Sequence, residues 1–291
     1  MNIPLFAEPI ASIGGFRITN AFINATFLSA ALIAFAFFFR AKISLIPGRL
    51  QTGLEMLFEL LLNTFDQVTG DPAKTRRFFP FVATLFFFIL LSNWLGLLPG
   101  TGSLGIYQLH EGNVELIPIL RSAAADLNLT LALALLSVVT SHVVGMLTVG
   151  FFVHWNKFIQ LGTLWQALKT KNILTIFTAI IELGVGLIEL ISEAAKVLSL
   201  SLRLFGNIFA GEVLITVLSS ILAFILPLPF MGLELIVGVV QATVFSMLTL
   251  VYLSMLTEQP THDEHKDDPV TEALEGETLL GEPALHTESL T

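Results

Sequence analysis

The feature of this sequence most able to do chemistry is a set of six polar or charged residues at helical spacing. They lie within one long apolar segment and are Glu182, Glu189, Glu193, Lys196, Arg203 and Asn207. At about 100° per residue of α-helix, they all fall within a sector of about 80°. An ionisable group inside a membrane span costs several kcal/mol, so each one needs a compensating interaction. The pattern therefore predicts a helix face that meets a partner, a water-filled cavity or both.

Arg203 differs from the other charged residues of this face, because no acidic residue lies three or four positions from it. Glu193 and Lys196 are three positions apart, so an ion pair within the helix can balance those two charges. Arginine keeps its proton in proteins, so Arg203 cannot lower the cost of burial by becoming neutral. We therefore expect Arg203 to meet a carboxylate elsewhere in the chain or on another subunit.

Further polar residues lie in the neighbouring apolar segments. Glu234 and Gln241 are seven positions apart on the last predicted helix, so they share one face and can pair with the long helix or line a hydrated passage for protons. Glu212 lies on the side of the long helix opposite its polar face, and Asp126 belongs to a polar stretch where another helix begins. Neither a metal-binding group of histidines nor a phosphate-binding glycine loop accompanies them, so no metal and no cofactor is predicted.

The composition places these residues in a membrane protein. Of the 291 residues, 54% are hydrophobic and 13% are charged, about half the charged fraction of soluble domains. Residues 1–257 carry 13 acidic and 13 basic residues, whereas residues 258–291 carry ten acidic residues and one base. The membrane domain is thus neutral, and the net charge of −9 belongs to a tail that we predict to be disordered and cytoplasmic. This composition excludes nucleic-acid binding and intrinsic disorder for the membrane domain, and the absence of cysteine excludes disulfides.

The apolar segments predict an all-α membrane protein with about five transmembrane or intramembrane helices. The predicted helices cover residues about 21–39, 78–98, 123–153, 173–225 and 230–257, and two prolines divide the last two. The fourth helix would be about 75 Å long, more than twice the thickness of the hydrocarbon core. It either lies steeply tilted in the membrane or breaks into two spans near Phe205–Gly206.

A further, amphipathic helix is predicted over residues 50–66, where apolar residues recur with the helical period. Its basic flanks suit a position on the cytoplasmic membrane face, although a buried core helix would show the same period. Lysine and arginine concentrate in the links after the first and third spans, which predicts that these links are cytoplasmic. The N-terminus would then lie outside and the C-terminus inside. The first fifteen residues carry no positive charge, so no cleavable signal peptide is predicted.

The stretch from Ser199 to Glu212, SLSLRLFGNIFAGE, resembles the signature of subunit a of the F-type ATP synthase. Further matches follow in the family's order over residues 20–258, and they are PGRLQ at 47–51, SNWLGLLP at 92–99, ADLNLT at 125–130 and the segment 241–254. Several spaced motifs in one order are far more specific than a single pattern. The resemblance implies a multi-pass protein of the bacterial inner membrane whose last two helices form a long tilted hairpin against a rotor ring of c subunits.

The resemblance also assigns roles to individual residues. The essential arginine of the family falls on Arg203, and the polar residues of its proton half-channels fall on Glu189, Asn207, Glu212, Glu234, Gln241 and Asp126. Many relatives carry one Glu and one His where this chain has Glu212 and Glu234, so a histidine relay is absent there. We expect these two glutamates to serve the periplasmic half-channel and Glu189 the other. Val197 replaces a proline that often follows the Lys196 position.

By this resemblance the chain is a proton-channel stator against which the rotor ring turns. Arg203 would separate two offset half-channels and favour the ionised form of the ring carboxylate, coupling proton flow to rotary ATP synthesis. Peripheral-stalk b subunits and the lipid bilayer are the other implied partners, and no chemistry on ATP is expected in this chain itself. The alternative is a self-contained secondary transporter of an anionic solute. Such a transporter would carry an inverted repeat with paired broken helices, but the polar face occurs once.

Overall fold

The fold of the chain, obtained as a computed structural model, consists of seven α-helices and two small β-hairpins over the residues that the structure describes. These residues are 9–13, 16–98, 105–110, 113–118, 121–158, 173–222 and 225–257. The helices are α1 (Asn20–Arg40), α2 (Arg49–Thr69), α3 (Pro72–Gly96), α4 (Leu127–Val149), α5 (Phe151–Phe158), α6 (Ile173–Ile221) and α7 (Pro227–Thr257). The hairpins pair β1 (Pro9–Ile13) with β2 (Phe16–Thr19) and β3 (Gly105–His110) with β4 (Asn113–Pro118), both antiparallel.

Five of these helices, α1, α3, α4, α6 and α7, are long and apolar enough to cross a membrane. This confirms the prediction of an all-α membrane protein, to which the structure adds the two hairpins. The predicted amphipathic helix is present as α2, and its location on the membrane face stays a prediction. Residues 258–291 lie outside the described residues, so the disordered tail also stays a prediction.

The third predicted span is shorter than expected at both ends. Asp126 precedes α4 with an extended backbone, and its carboxylate accepts a hydrogen bond from the Asn128 amide, so the helix begins at Leu127 rather than near residue 123. A short 3-10 turn, Ala123–Ala125, leads into this cap. At the other end, Gly150 has a φ of 101° and divides α4 from α5, because a helix cannot continue through that backbone conformation.

The fourth predicted span is one uninterrupted helix of 49 residues, α6. The alternative of two spans with a turn near Phe205–Gly206 is therefore wrong. At about 1.5 Å per residue α6 is about 74 Å long. This is more than twice the hydrocarbon thickness of about 30 Å that a helix perpendicular to the membrane has to cross. Its tilt stays a prediction. The helix ends at Ile221 rather than near residue 225, and α7 begins at Pro227 rather than at residue 230. Both prolines therefore lie in the first turn of α7, where a missing backbone N–H costs no helical hydrogen bond.

A buried core joins α3, α4, α6 and α7. Its fully enclosed side chains include Val82 and Ile89 of α3, Leu204 of α6 and Phe245 of α7. Hydrogen bonds between helices add to this packing, with Ser137 of α4 lying 2.7 Å from Thr249 of α7 between their hydroxyl oxygens. Such bonds contribute about 0.6 kcal/mol each in membrane proteins, so close packing of the core supplies most of the cohesion.

Candidate functional site

Arg203 lies on the side of α6 that faces away from the rest of the chain. Its neighbours Leu200, Ser201 and Leu204 are buried against the core, whereas the Arg203 side chain is exposed. Among the described residues, no carboxylate forms an ion pair with Arg203, and no hydrogen bond involves its guanidinium. Large apolar side chains on the same helix are exposed as well, among them Leu202. This part of α6 therefore presents one permanent positive charge on an exposed surface that it shares with Asn207 and with apolar side chains.

One turn beyond Arg203, a polar contact joins α6 to α7. The side-chain amide of Asn207 donates a hydrogen bond of 2.7 Å to Oε1 of Gln241. The sequence predicted both residues as half-channel positions from separate motifs, and the structure brings them into direct contact.

Glu234 of α7 lies close to the contact between Asn207 and Gln241, and all three residues border one cavity. Its side chain packs so closely against Gly211 of α6 that an added Cβ at that glycine would lie 1.7 Å from Oε1 of Glu234. The residue is 8% exposed, and among the described residues no hydrogen bond or ion pair reaches its carboxylate. An open cavity of about 460 Å³ adjoins it, lined also by Asn207, Gly211 and Gln241. A buried carboxylate beside a cavity of this size can exchange protons with water that fills it.

Glu212 has a different environment from Glu234, although both were expected to serve the same half-channel. Arg121, from the segment before α4, donates from Nε to Oε1 of Glu212 at 2.8 Å and from Nη2 to Oε2 at 3.0 Å. The Arg121 side chain is 7% exposed, and that of Glu212 is 29% exposed. Arg121 was not among the candidate residues that the sequence indicated. The bidentate pair holds Glu212 as a charged acceptor.

A second polar group lies on the other side of Arg203 along α6. Glu193 receives a hydrogen bond of 2.6 Å from Lys196, as the spacing of the two residues predicted. Its other oxygen, Oε2, lies 3.4 Å from Nε2 of His142 in α4, and Nδ1 of His142 lies 3.1 Å from Nε2 of His154 in α5. Neither histidine was among the candidate residues that the sequence indicated, because their contacts depend on the packing of three helices.

The two polar groups define the geometry of the site. The Glu234 cluster consists of Asn207, Gly211, Glu212, Glu234 and Gln241 together with Arg121, and the His142 cluster consists of His142, His154, Glu193 and Lys196. At about 1.5 Å per residue, Gly211 lies about 12 Å from Arg203 along α6 and Glu193 about 15 Å from it in the other direction. Along α6, the exposed guanidinium of Arg203 thus lies between the two clusters of titratable side chains.

Comparison with known protein families identifies the family to which this chain belongs. The family model described as ATP synthase A chain matches residues 23–254, which include both clusters and Arg203. The chain belongs to the ATP synthase A chain family. It is therefore a multi-pass membrane protein and a stator subunit of the membrane sector of an F-type ATP synthase, as the sequence resemblance implied.

Curated relatives of the A chain family agree over most of their lengths. ATP synthase subunit a of Mycobacterium tuberculosis (strain CDC 1551 / Oshkosh) is 33% identical over 256 residues, covering 85% of this chain and 89% of that protein. Subunit a of Gloeobacter violaceus is 33% identical over 236 residues, covering 80% of this chain and 81% of the relative. A relative from Propionigenium modestum, named ATP synthase subunit a, sodium ion specific, is 30% identical over 253 residues, covering 87% and 78%.

Not all half-channel residues expected for an A chain come together in the structure. Asp126 caps α4, and within the described residues its carboxylate bonds only to the backbone and side-chain amides of Asn128. Glu189 is half-buried on α6, one turn before Glu193, and thus lies near the His142 cluster rather than the Glu234 cluster. Over the described part of the chain, no group of three or more His, Asp or Glu side chains is placed to hold a metal ion.

Proposed function

We propose that the chain is a proton-channel stator in which Arg203 separates two offset aqueous half-channels, coupling proton flow to rotary ATP synthesis. The observation that carries this proposal is the exposed Arg203 side chain, which has no ion-pair partner among the described residues and lies between two polar clusters. Its partner would be the carboxylate of a rotor ring of c subunits passing along this face of α6. Peripheral-stalk b subunits and the lipid of a bacterial inner membrane would complete its surroundings.

The chemistry follows from the permanent charge of arginine. A ring carboxylate must be protonated while it travels through lipid, because a bare charge there costs several kcal/mol. Near Arg203 the guanidinium attracts the ionised carboxylate and so promotes release of its proton. The same positive charge repels protons that would otherwise pass directly from one half-channel to the other. Each proton must therefore travel with the ring.

Glu234 is the best-placed group for handing protons between the ring and one half-channel. Its carboxylate is buried beside an open cavity and is free of ion pairs among the described residues. Glu212, the other expected carrier, is engaged by Arg121 on both oxygens, so we assign it the role of positioning charge along the channel wall. By the distribution of basic residues, this half-channel opens to the periplasm and the one near Glu189 opens to the cytoplasm.

The coupling ion is proposed to be the proton. A membrane potential of 100 mV supplies about 2.3 kcal/mol for each charge moved along such a path. A relative is named as sodium ion specific, so sodium is the other ion that the test must include. The alternative of a self-contained transporter has no support from the described helices, because α6 and α7 run without the paired breaks that it would need.

The test is Arg203→Ala in the complete complex, with ATP synthesis driven by an imposed proton gradient in sodium-free membrane vesicles. We expect synthesis to be lost while the assembled complex is recovered in normal amount. Leu202→Ala is the matched control, since Leu202 is an exposed neighbour without charge, and it should retain synthesis. Coupled synthesis at the normal rate in Arg203→Ala would overturn the proposal. Synthesis by the unmodified complex only when sodium is present would overturn the assignment of the proton.

A further inference from the structure

We propose that His154, His142 and Glu193 form a proton relay that joins α5 to the polar face of α6 on the side of Arg203 opposite Glu234. The inference rests on the proposed function, because it supplies residues for one of the two half-channels. It adds two histidines from α5 and α4 to a path for which the sequence indicated only residues of α6 on this side.

The geometry of the His142 cluster is that of a continuous chain of hydrogen-bonding atoms. Nε2 of His154 lies 3.1 Å from Nδ1 of His142, and Nε2 of His142 lies 3.4 Å from Oε2 of Glu193. The two imidazole rings meet edge to face, with centroids 5.3 Å apart and planes at 81°. Both nitrogens of His142 are thus turned toward groups that can exchange a proton with it.

Burying the titratable side chains of this cluster costs free energy, because they lose their contacts with water. His154 is 5% exposed, and the Glu193 side chain is 12% exposed. His142 and Glu193 belong to helices long and apolar enough to cross a membrane, and titratable groups inside such spans are rare and concentrate along ion and proton pathways. Within the cluster, Nζ of Lys196 lies 2.6 Å from Oε1 of Glu193. Among the described residues, the titratable group that faces the cluster from α7 is Tyr252, whose ring centroid lies 5.2 Å from Nζ of Lys196.

Transfer of a proton through the cluster requires no other reactant. A proton arriving at Nδ1 of His154 allows the Nε2 proton of that ring to pass to Nδ1 of His142. The Nε2 proton of His142 then passes to Oε2 of Glu193, and only N–H and O–H bonds form and break. Both rings end neutral, in the other tautomer, and rotation of each ring restores the starting state. The proton then leaves Oε2 of Glu193 to water on the polar face of α6, on the side toward Arg203.

The position of the cluster suits one half-channel and not the other. Glu193 precedes Arg203 by ten residues, about 15 Å along the helix, whereas Gly211, which contacts Glu234, follows it by eight. Lys196, which contacts Glu193, precedes Arg203 by seven residues on the same face of α6, and the ring of Tyr252 in α7 lies 5.2 Å from its Nζ. Polar groups therefore continue from the relay toward the guanidinium, on the side that the basic links assign to the cytoplasm.

The experiment measures passive proton conduction through the membrane sector in vesicles from which the ATP-hydrolysing part of the complete synthase has been stripped. His142→Gln and His154→Gln keep hydrogen-bonding groups but cannot pass a proton through a ring. We expect each to lower conduction per assembled complex several-fold, and the double variant to fall no further, because the two groups act in series. Added imidazole should restore conduction in His142→Ala. Thr148→Ala is the control, since that hydroxyl bonds only to the backbone of α4.

Normal conduction per complex in both glutamine variants would overturn the relay. A fall in the amount of assembled complex with unchanged conduction per complex would also overturn it, because that result defines a purely structural cluster. Proton-driven ATP synthesis by Arg203→Ala and Glu234→Gln, measured in parallel, separates the two proposals. If both of these variants lose synthesis while the histidine variants conduct normally, the relay alone fails. If both synthesise ATP normally, the proposed function fails with it.

Discussion

Arg121, in the segment before α4, donates three hydrogen bonds to Glu212 in the distal part of α6, from Nε to both carboxylate oxygens (2.8 Å and 3.1 Å) and from Nη2 to Oε2 (3.0 Å). The backbone oxygen of Arg121 also accepts a 2.8 Å hydrogen bond from the side chain of Asn24 in α1. Three parts of the chain therefore meet at one ion pair. This pair distinguishes the two glutamates of the Glu234 cluster, since Glu212 is charge-balanced and Glu234 faces a cavity.

Removing one partner of this pair should destabilise the membrane domain more than removing both. Arg121→Met leaves the carboxylate of Glu212 partly buried without compensation, at a cost of about 3 kcal/mol. The double variant Arg121→Met with Glu212→Leu replaces the pair by apolar groups, and we expect it to recover most of that loss. Thermal unfolding of the purified complex in detergent measures both effects. Equal stability of the single variant and the unmodified protein would show that the pair contributes nothing.

A methyl group at residue 211 should disable the adjacent glutamate without removing it. In Gly211→Ala the new Cβ would lie 1.7 Å from Oε1 of Glu234, so the carboxylate must move away from its position beside the cavity. We expect proton-driven ATP synthesis to fall several-fold while the complex still assembles. Gly184→Ala is the matched control on the same helix, because a Cβ there meets nothing within 4 Å. Undiminished synthesis in Gly211→Ala would contradict the role proposed for the Glu234 position.

The predicted orientation can be measured cleanly, because the chain contains no cysteine. Single cysteines at Ser44, in the basic link after α1, and at Ser103, in the link after α3, should react with a membrane-impermeant maleimide from opposite sides. Because lysine and arginine favour the cytoplasm, we expect Ser44→Cys to be labelled in inside-out vesicles and Ser103→Cys in intact cells or spheroplasts. The reverse pattern would invert the topology and exchange the sides of the two proposed half-channels.

Much of the fold could be predicted because its signals are local. A run of about 20 apolar residues identifies a span whatever surrounds it, and the helical period placed Arg203 and Asn207 on one face of α6. The ends of α4 were harder, since they depend on a cap by Asp126 and on the φ of Gly150. The two hairpins lie in stretches without a strong alternating pattern. The Gly-Gly pair at residues 14 and 15 is a hairpin signal in the sequence that our prediction did not use.

By itself the sequence determined the membrane class, the family, the single long helix as one of two alternatives, and Arg203 as a cation in need of an external partner. Only the tertiary structure decided which charges meet. Arg121 and Glu212 are 91 positions apart, and Asn207 and Gln241 are 34 apart, so their contacts depend on how the helices pack. The relay from His154 through His142 to Glu193 needs three helices at once, whereas helical periodicity describes one helix at a time.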